Sequence, residues 1–186
     1  HLIMIGARPE TGKTSSHASF IAGPNGFAEQ GAKCVILCNE EIVTRVASRY
    51  LSASTGMTLN QIRDNPSGAR AKYQRVKSNI NFKDATGKDM AWVESVVKSY
   101  KPDILVLDMG DKFAKPNGAA REDMVLKANA IYARDIAKQY GCALFYMSQL
   151  SAEAEGKVNL NQSMMEGSKT GKASEADLML LIAKNP

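Results

Sequence analysis

The first fifteen residues, HLIMIGARPETGKTS, run from a short apolar stretch into a turn, and Gly12-Lys13-Thr14 then opens a helical pattern. Leu2 to Ile5 predicts a strand and Thr14 to Ala22 a helix. A strand, a glycine-bearing loop and a helix in that order form a phosphate-binding loop. Its backbone N–H groups and the positive helix end hold phosphate oxygens, a lysine reaches the outer phosphates, and a serine or threonine hydroxyl binds Mg²⁺. Lys13 and Thr14 fit those two roles. The nucleotide-binding segment is expected to run through Ala7, Arg8, Pro9, Glu10, Thr11, Gly12, Lys13, Thr14 and Ser15. Ala7 stands where the strict pattern wants glycine, so the strand and helix on either side carry the assignment over an ordinary strand-to-helix turn.

Such a loop needs a sheet behind it, and 186 residues suffice for one domain, expected to span 1–186, with a core of useful size. The longest apolar runs fall far short of the roughly 18 residues that cross a bilayer, and a secretory signal is not seen. A soluble, cytoplasmic protein without membrane association is the expectation, in the host cytoplasm if the source is a phage. Cys34, Cys38 and Cys142 lie in apolar strand-like runs without zinc spacing and read as small core residues. A net charge of +5 favours polyanionic partners without requiring them.

Along the chain, Gly23-Pro24-Asn25-Gly26 ends the first helix, in which His17 reads as a lone structural histidine with no carboxylate nearby. Cys34 to Cys38 reads as a strand buried on both faces and runs into Asn39-Glu40-Glu41, after which Val43, Val46, Ala47, Tyr50 and Leu51 recur at helical spacing. At that sheet edge an acid either orients an attacking water or caps the next helix, and the residues alone leave both readings open. Thr58 to Ser78 predicts a solvated basic helical face, Asn79 to Phe82 a short strand, and Val93 to Tyr100 a helix on which Trp92 packs. Ile104 to Asp108 is an apolar strand ending in an acid about 90 residues after the phosphate loop. Asp108 is therefore expected to hold Mg²⁺ together with Thr14. Leu126 to Tyr140 steps along a helix, and Ala143 to Met147 is a strand ending at Ser148-Gln149, where a neutral amide is placed to sense a terminal phosphate. Leu150 to Ser174 is a long polar segment punctuated by glycines and by Lys157, Lys169 and Lys172, and Leu178 to Ile182 forms a last strand.

Gly6-Ala-Arg-Pro-Glu-Thr-Gly-Lys-Thr14, the acid in Leu37-Cys-Asn-Glu40, Asp108, Met147-Ser-Gln149-Leu and Met165-Glu-Gly-Ser168 with Ala176-Asp177 together resemble the RecA-like motor domain of DnaB-type and phage primase-helicase replicative DNA helicases. The resemblance covers essentially the whole chain and makes Ala7 a family mark. It implies an α/β RecA-like P-loop NTPase with a mainly parallel sheet and helices on both faces, using ATP or dTTP with Mg²⁺. It also implies movement along single-stranded DNA as a homo-hexamer, with primase among the partners. The catalytic set it implies is Glu40, favoured over Glu41, with Lys13 and the γ-phosphate sensor Gln149. The same likeness places DNA contacts on the loop carrying Lys157, Lys169 and Lys172. Met109-Gly110-Asp111 departs from the family pattern and leaves the role of Asp111 open. The trans-acting basic finger is expected beyond the last motif, and the helical segment that links subunits is expected before residue 1, so neither is expected within this chain. A RecA- or RadA-type recombinase, a small-molecule kinase and a nucleotide-dependent scaffold without turnover are the rivals. The first would bring a polymerisation segment, the second a lid with arginines, and the third has no need of Glu40.

Overall fold

The computed structural model describes residues 1–114, 121–167 and 171–184. Six parallel strands form one sheet: β1 (Leu2–Ala7), β2 (Cys34–Cys38), β3 (Ile80–Asp84), β4 (Ile104–Asp108), β5 (Ala143–Gln149) and β6 (Leu178–Ile182). Their spatial order is β3-β2-β4-β5-β1-β6. The helices are α1 (Lys13–Ala22), α2 (Val43–Thr55), α3 (Leu59–Asp64), α4 (Pro66–Lys77), α5 (Met90–Tyr100) and α6 (Glu122–Tyr140).

Period-two alternation explains why the strand sequences are apolar throughout. Leu2, Met4, Val35, Leu37, Leu105, Leu107, Leu144 and Tyr146 face one way, into a core closed by α5 and α6. Ile5, Cys34, Ile36, Cys38, Val106, Phe145 and Met147 face the other way, against α1, α2 and α4. Truncating a central member such as Leu107, fully buried, to alanine should cost about 2–5 kcal/mol. The three cysteines are buried and unpaired, as their apolar surroundings predicted.

β1 and β5 each run two residues further than the apolar pattern predicts, pairing Gly6 with Ser148 and Ala7 with Gln149. Gly6 looks like a turn residue in the sequence, but a close approach is what requires it. A Cβ there would stand 2.8 Å from Leu181 and 2.9 Å from the Met165 sulfur. The predicted polar loop after β5 is packed rather than free. Leu150 bridges Met165, and Ala154, Met164, Met165 and Ala173 are buried on the α6 side of the sheet or beside it. Arg63, Arg70, Lys72, Arg75 and Lys77 lie exposed on α3 and α4, the solvated face the sequence indicates.

Candidate nucleotide site

The C-terminal edges of β1, β2, β4 and β5 bring the site together. β1 delivers the loop from Ala7 to Gly12, and Gly12, at φ 97°, takes the left-handed conformation that lets α1 start at Lys13. No side chain caps that helix start and no acid lies in its first turn, so its N–H groups are free for an anion. The loop is braced from behind: Thr11 donates to the Arg8 carbonyl at 2.7 Å, and Arg8 donates to Glu155 at 2.8 Å and to the Leu150 carbonyl at 3.0 Å. A cleft of about 450 Å³ lies in front, lined by Ala7 to Glu10, Gly12 to Ser15, Glu40, Glu41, Arg45, Arg49 and Gln149.

Glu40 and Glu41 separate clearly. Glu41 turns to Arg45 and Arg49 of α2, while Glu40 accepts from Lys13 Nζ at 2.7 Å and from Lys112 Nζ at 3.1 Å. Neither caps α2, whose N-cap is Ile42 with no side-chain bond, so the capping alternative is not realised. Burial pushes the Glu40 carboxyl up, but the hydrogen bonds and charges of Lys13 and Lys112 outweigh it and hold the group below the usual glutamate range. Glu40 is thus an anion at neutral pH, at the mouth of the phosphate loop. Lys13 Nζ also lies 2.8 Å from the Met109 sulfur, and Asn39 donates to the Met109 carbonyl at 3.1 Å.

Asp108 continues the face of Ile104 and Val106, which is the α1 side, and that corrects the reading of His17 as remote from any carboxylate. His17 Nε2 lies 3.5 Å from Asp108 Oδ1, and both side chains are fully buried. Strand and helix numbering hid a neighbour that the fold supplies. His17 Nδ1 is 2.8 Å from the Tyr50 hydroxyl. Burial, with Asp108 and other anions nearby, pushes the Tyr50 hydroxyl well above its ordinary pKa, so it keeps its proton and donates to Nδ1. The imidazole proton then sits on Nε2, toward Asp108. Burial raises the Asp108 carboxyl, but His17 first, then Lys13 and Arg49, bring it below the usual aspartate range.

Both Asp108 oxygens are buried and accept no hydrogen bond among the described residues. An anionic carboxylate with open lone pairs beside a phosphate loop suits Mg²⁺ held through water, with Thr14, nearly buried on the first turn of α1, as the hydroxyl partner. Among the described residues no three His, Cys, Asp or Glu side chains gather around a metal by themselves, which accords with a cation shared with phosphate. Gln149 stands at the end of β5 on the wall of the cleft.

The three lysines expected to face DNA do not share one setting. Lys157 is exposed, on a second cleft of about 440 Å³ shared with Arg8 to Thr11 and Ile182 to Lys184. Lys169 lies outside the described residues. Lys172 corrects the expectation: it is fully buried, and its Nζ donates to both oxygens of Asp111 at 2.9 Å. A cation so engaged has no face to offer a nucleic-acid backbone. Sequence reasoning missed this pair, Lys112 and the His17 contact. The one available signal was an acid, Asp111, lying just past the strand that ends in Asp108.

Six parallel strands, a phosphate loop after the first and an acid at the end of the fourth define a RecA-like P-loop NTPase domain. The chain belongs to the AAA domain family, whose pattern matches residues 1–155. Its fold is similar to that of a solved helicase ATPase domain, with 17% identity and a TM-score of 0.82 over 98% of this chain and 69% of that one. It is similar also to a DnaB-like replicative helicase described with its interactions with primase, with 17% identity and a TM-score of 0.84. That match takes in 100% of this chain but 47% of the helicase, so the chain spans about half of its length. None of the curated proteins matches the chain. No helix among the described residues is long and apolar enough to cross a membrane.

Proposed function

We propose that the chain is the motor domain of a replicative DNA helicase, working in a homo-hexameric ring that hydrolyses ATP or dTTP with Mg²⁺ to move along single-stranded DNA, with primase as a partner, in the cytoplasm of the cell or phage host. The observation that carries this is the convergence of Lys13, Glu40, Asp108 and Gln149 on one sheet edge, in a fold that superposes on two helicase structures.

Each side chain has work that its position supports. The loop N–H groups and Lys13 bind the phosphates, and to do so Lys13 leaves Glu40. Glu40, released but still facing Lys112, orients a water and accepts its proton. Asp108 and Thr14 would hold Mg²⁺, which supplies neutralisation of the developing phosphate charge. Gln149 reports whether the terminal phosphate is present. A catalytic base is superfluous in a scaffold that only binds, so Glu40 also argues for turnover.

The test is hydrolysis and duplex unwinding by the full-length protein with and without single-stranded DNA, for the wild type and Glu40→Gln. DNA-stimulated turnover that Glu40→Gln abolishes while nucleotide binding persists is the expected result. A wild type that hydrolyses nucleotide but ignores DNA would return the domain to the wider class of P-loop enzymes.

A further inference from the structure

β4 ends early beside its neighbour. The ladder between β4 and β5 stops at Leu107 and Tyr146, whereas β5 continues to Gln149 on its β1 side. After Asp108 the backbone turns away through Met109, a non-glycine residue at φ 87°, and Gly110. Gly110 passes so close to Tyr146 that a Cβ would lie 2.5 Å from its ring. The last residues of β5 would therefore lack partners where β4 is missing.

Asp111 fills that gap. Its carboxylate accepts from the Ser148 hydroxyl at 2.6 Å, from the Gln149 backbone N–H at 3.2 Å and from the Tyr146 hydroxyl at 3.3 Å. On the opposite side of the same residue the Gln149 carbonyl accepts from the Glu166 N–H at 3.0 Å. Gln149 is held by both backbone groups, and one of the two is held by a side chain in place of a strand. Three neutral donors do not balance a carboxylate that is 11% exposed, and Lys172 supplies the countercharge from a fully buried position. A strained turn that exists to carry one side chain, together with a lysine buried solely against it, is more than a strand end requires.

We propose that Asp111 is a positioning residue for the γ-phosphate sensor Gln149, and that Lys172 is its obligatory partner. The proposal rests on the NTPase reading above and deepens it. Asp111 acts through the β5 backbone and touches no phosphate; with Lys172 it fixes where the Gln149 amide points into the cleft. Loss of either charge leaves the other buried and unpaired, and the end of β5 loses its register. Loss of both removes the clamp without leaving an orphan charge, so the double variant is the one that keeps the fold.

The experiment uses the full-length protein and the variants Asp111→Asn, Lys172→Met, their double, Gln149→Ala, and Gln149→Ala combined with Asp111→Asn. Steady-state hydrolysis of Mg-ATP on single-stranded DNA gives kcat and KM, normalised to nucleotide-binding sites by titration, and thermal melting reports folding. The expected result is a kcat lowered about tenfold or more in both singles and in the double, with KM within about threefold of wild type. Adding Asp111→Asn to Gln149→Ala should cost no further activity, since both act through one amide. Wild-type kcat per site in a folded double variant would overturn the proposal, as would fully multiplicative losses with Gln149→Ala. KM rising in step with the fall in kcat would overturn it too, marking a role in binding. A wild type without turnover would instead remove the NTPase reading, and this proposal with it.

Discussion

Lys13 and Glu40, twenty-seven residues apart in sequence, hold each other at 2.7 Å at the mouth of the phosphate loop. The residue that should meet phosphate and the residue that should activate water are thus each other's partner, and a phosphate oxygen entering the cleft competes for Lys13 with a carboxylate already there. Glu40→Gln weakens that competitor. The expected outcome is nucleotide affinity equal to or above wild type with hydrolysis slowed about 10²–10⁴-fold, the usual contribution of a general base. Lys13→Ala should abolish binding. Fluorescent-nucleotide titration beside a phosphate-release assay separates the two, and undiminished hydrolysis in Glu40→Gln would return Glu41 to consideration.

His17 and Tyr50 orient Asp108 from behind, so their influence should be felt as cation dependence. His17→Leu leaves the buried Asp108 carboxylate without its N–H neighbour, at a cost of about 1–3 kcal/mol in stability. Mg²⁺ with nucleotide supplies a new partner for the same oxygens, so the deficit should narrow when both are added. Melting curves of wild type and variant, with and without Mg-nucleotide, measure the gap. A gap that stays constant would mean that Asp108 does not face the cation.

What the sequence made legible was whatever depends on local pattern. β2, β4 and β6 have the boundaries their apolar runs indicate, because a strand buried on both faces is marked at every position. Glu40, Asp108 and Gln149 were readable for the same reason: each directly follows, or ends, such a run. The partners were not. His17 meets Asp108, and Asp111 meets Lys172 sixty-one residues away, because strands adjacent in space are distant in the chain. A lysine in a polar, glycine-punctuated stretch looks solvated, and nothing local to Lys172 marks the carboxylate that draws it inside.

Lys157 and Lys172 should differ in any DNA assay on account of that burial. If Lys157 contacts a backbone phosphate, Lys157→Ala should weaken binding to single-stranded oligonucleotides and flatten the log–log salt dependence by about 0.7 per lost contact. Lys172→Met should leave the salt slope unchanged, since a fully buried cation displaces no counterions. Affinities across a salt series decide this, and a slope lowered equally in both variants would place Lys172 at the DNA after all.

Away from the site, Glu94 of α5 ties that helix to α6, and the tie should be sensitive to acid. Its carboxylate accepts from the Tyr132 hydroxyl at 2.6 Å and the Tyr140 hydroxyl at 2.7 Å, and it pairs with Lys98 at 2.9 Å. These bonds, the two tyrosines first, stabilise the ionised form and bring the pKa from 4.5 down to about 2. A group whose folded pKa is depressed binds protons more readily in the unfolded chain. Its contribution is therefore complete above the ordinary glutamate value and disappears as pH falls through the folded one. Glu94→Gln, which cannot ionise, should melt below wild type by a margin that is constant above about pH 5. That margin should shrink between 4.5 and about 2 as the wild type loses its advantage. Melting temperatures of the two proteins from pH 7 to the lowest pH at which both remain folded provide the measurement. A margin independent of pH would show that the tyrosine hydroxyls bond the glutamine side chain as well as they bond the carboxylate.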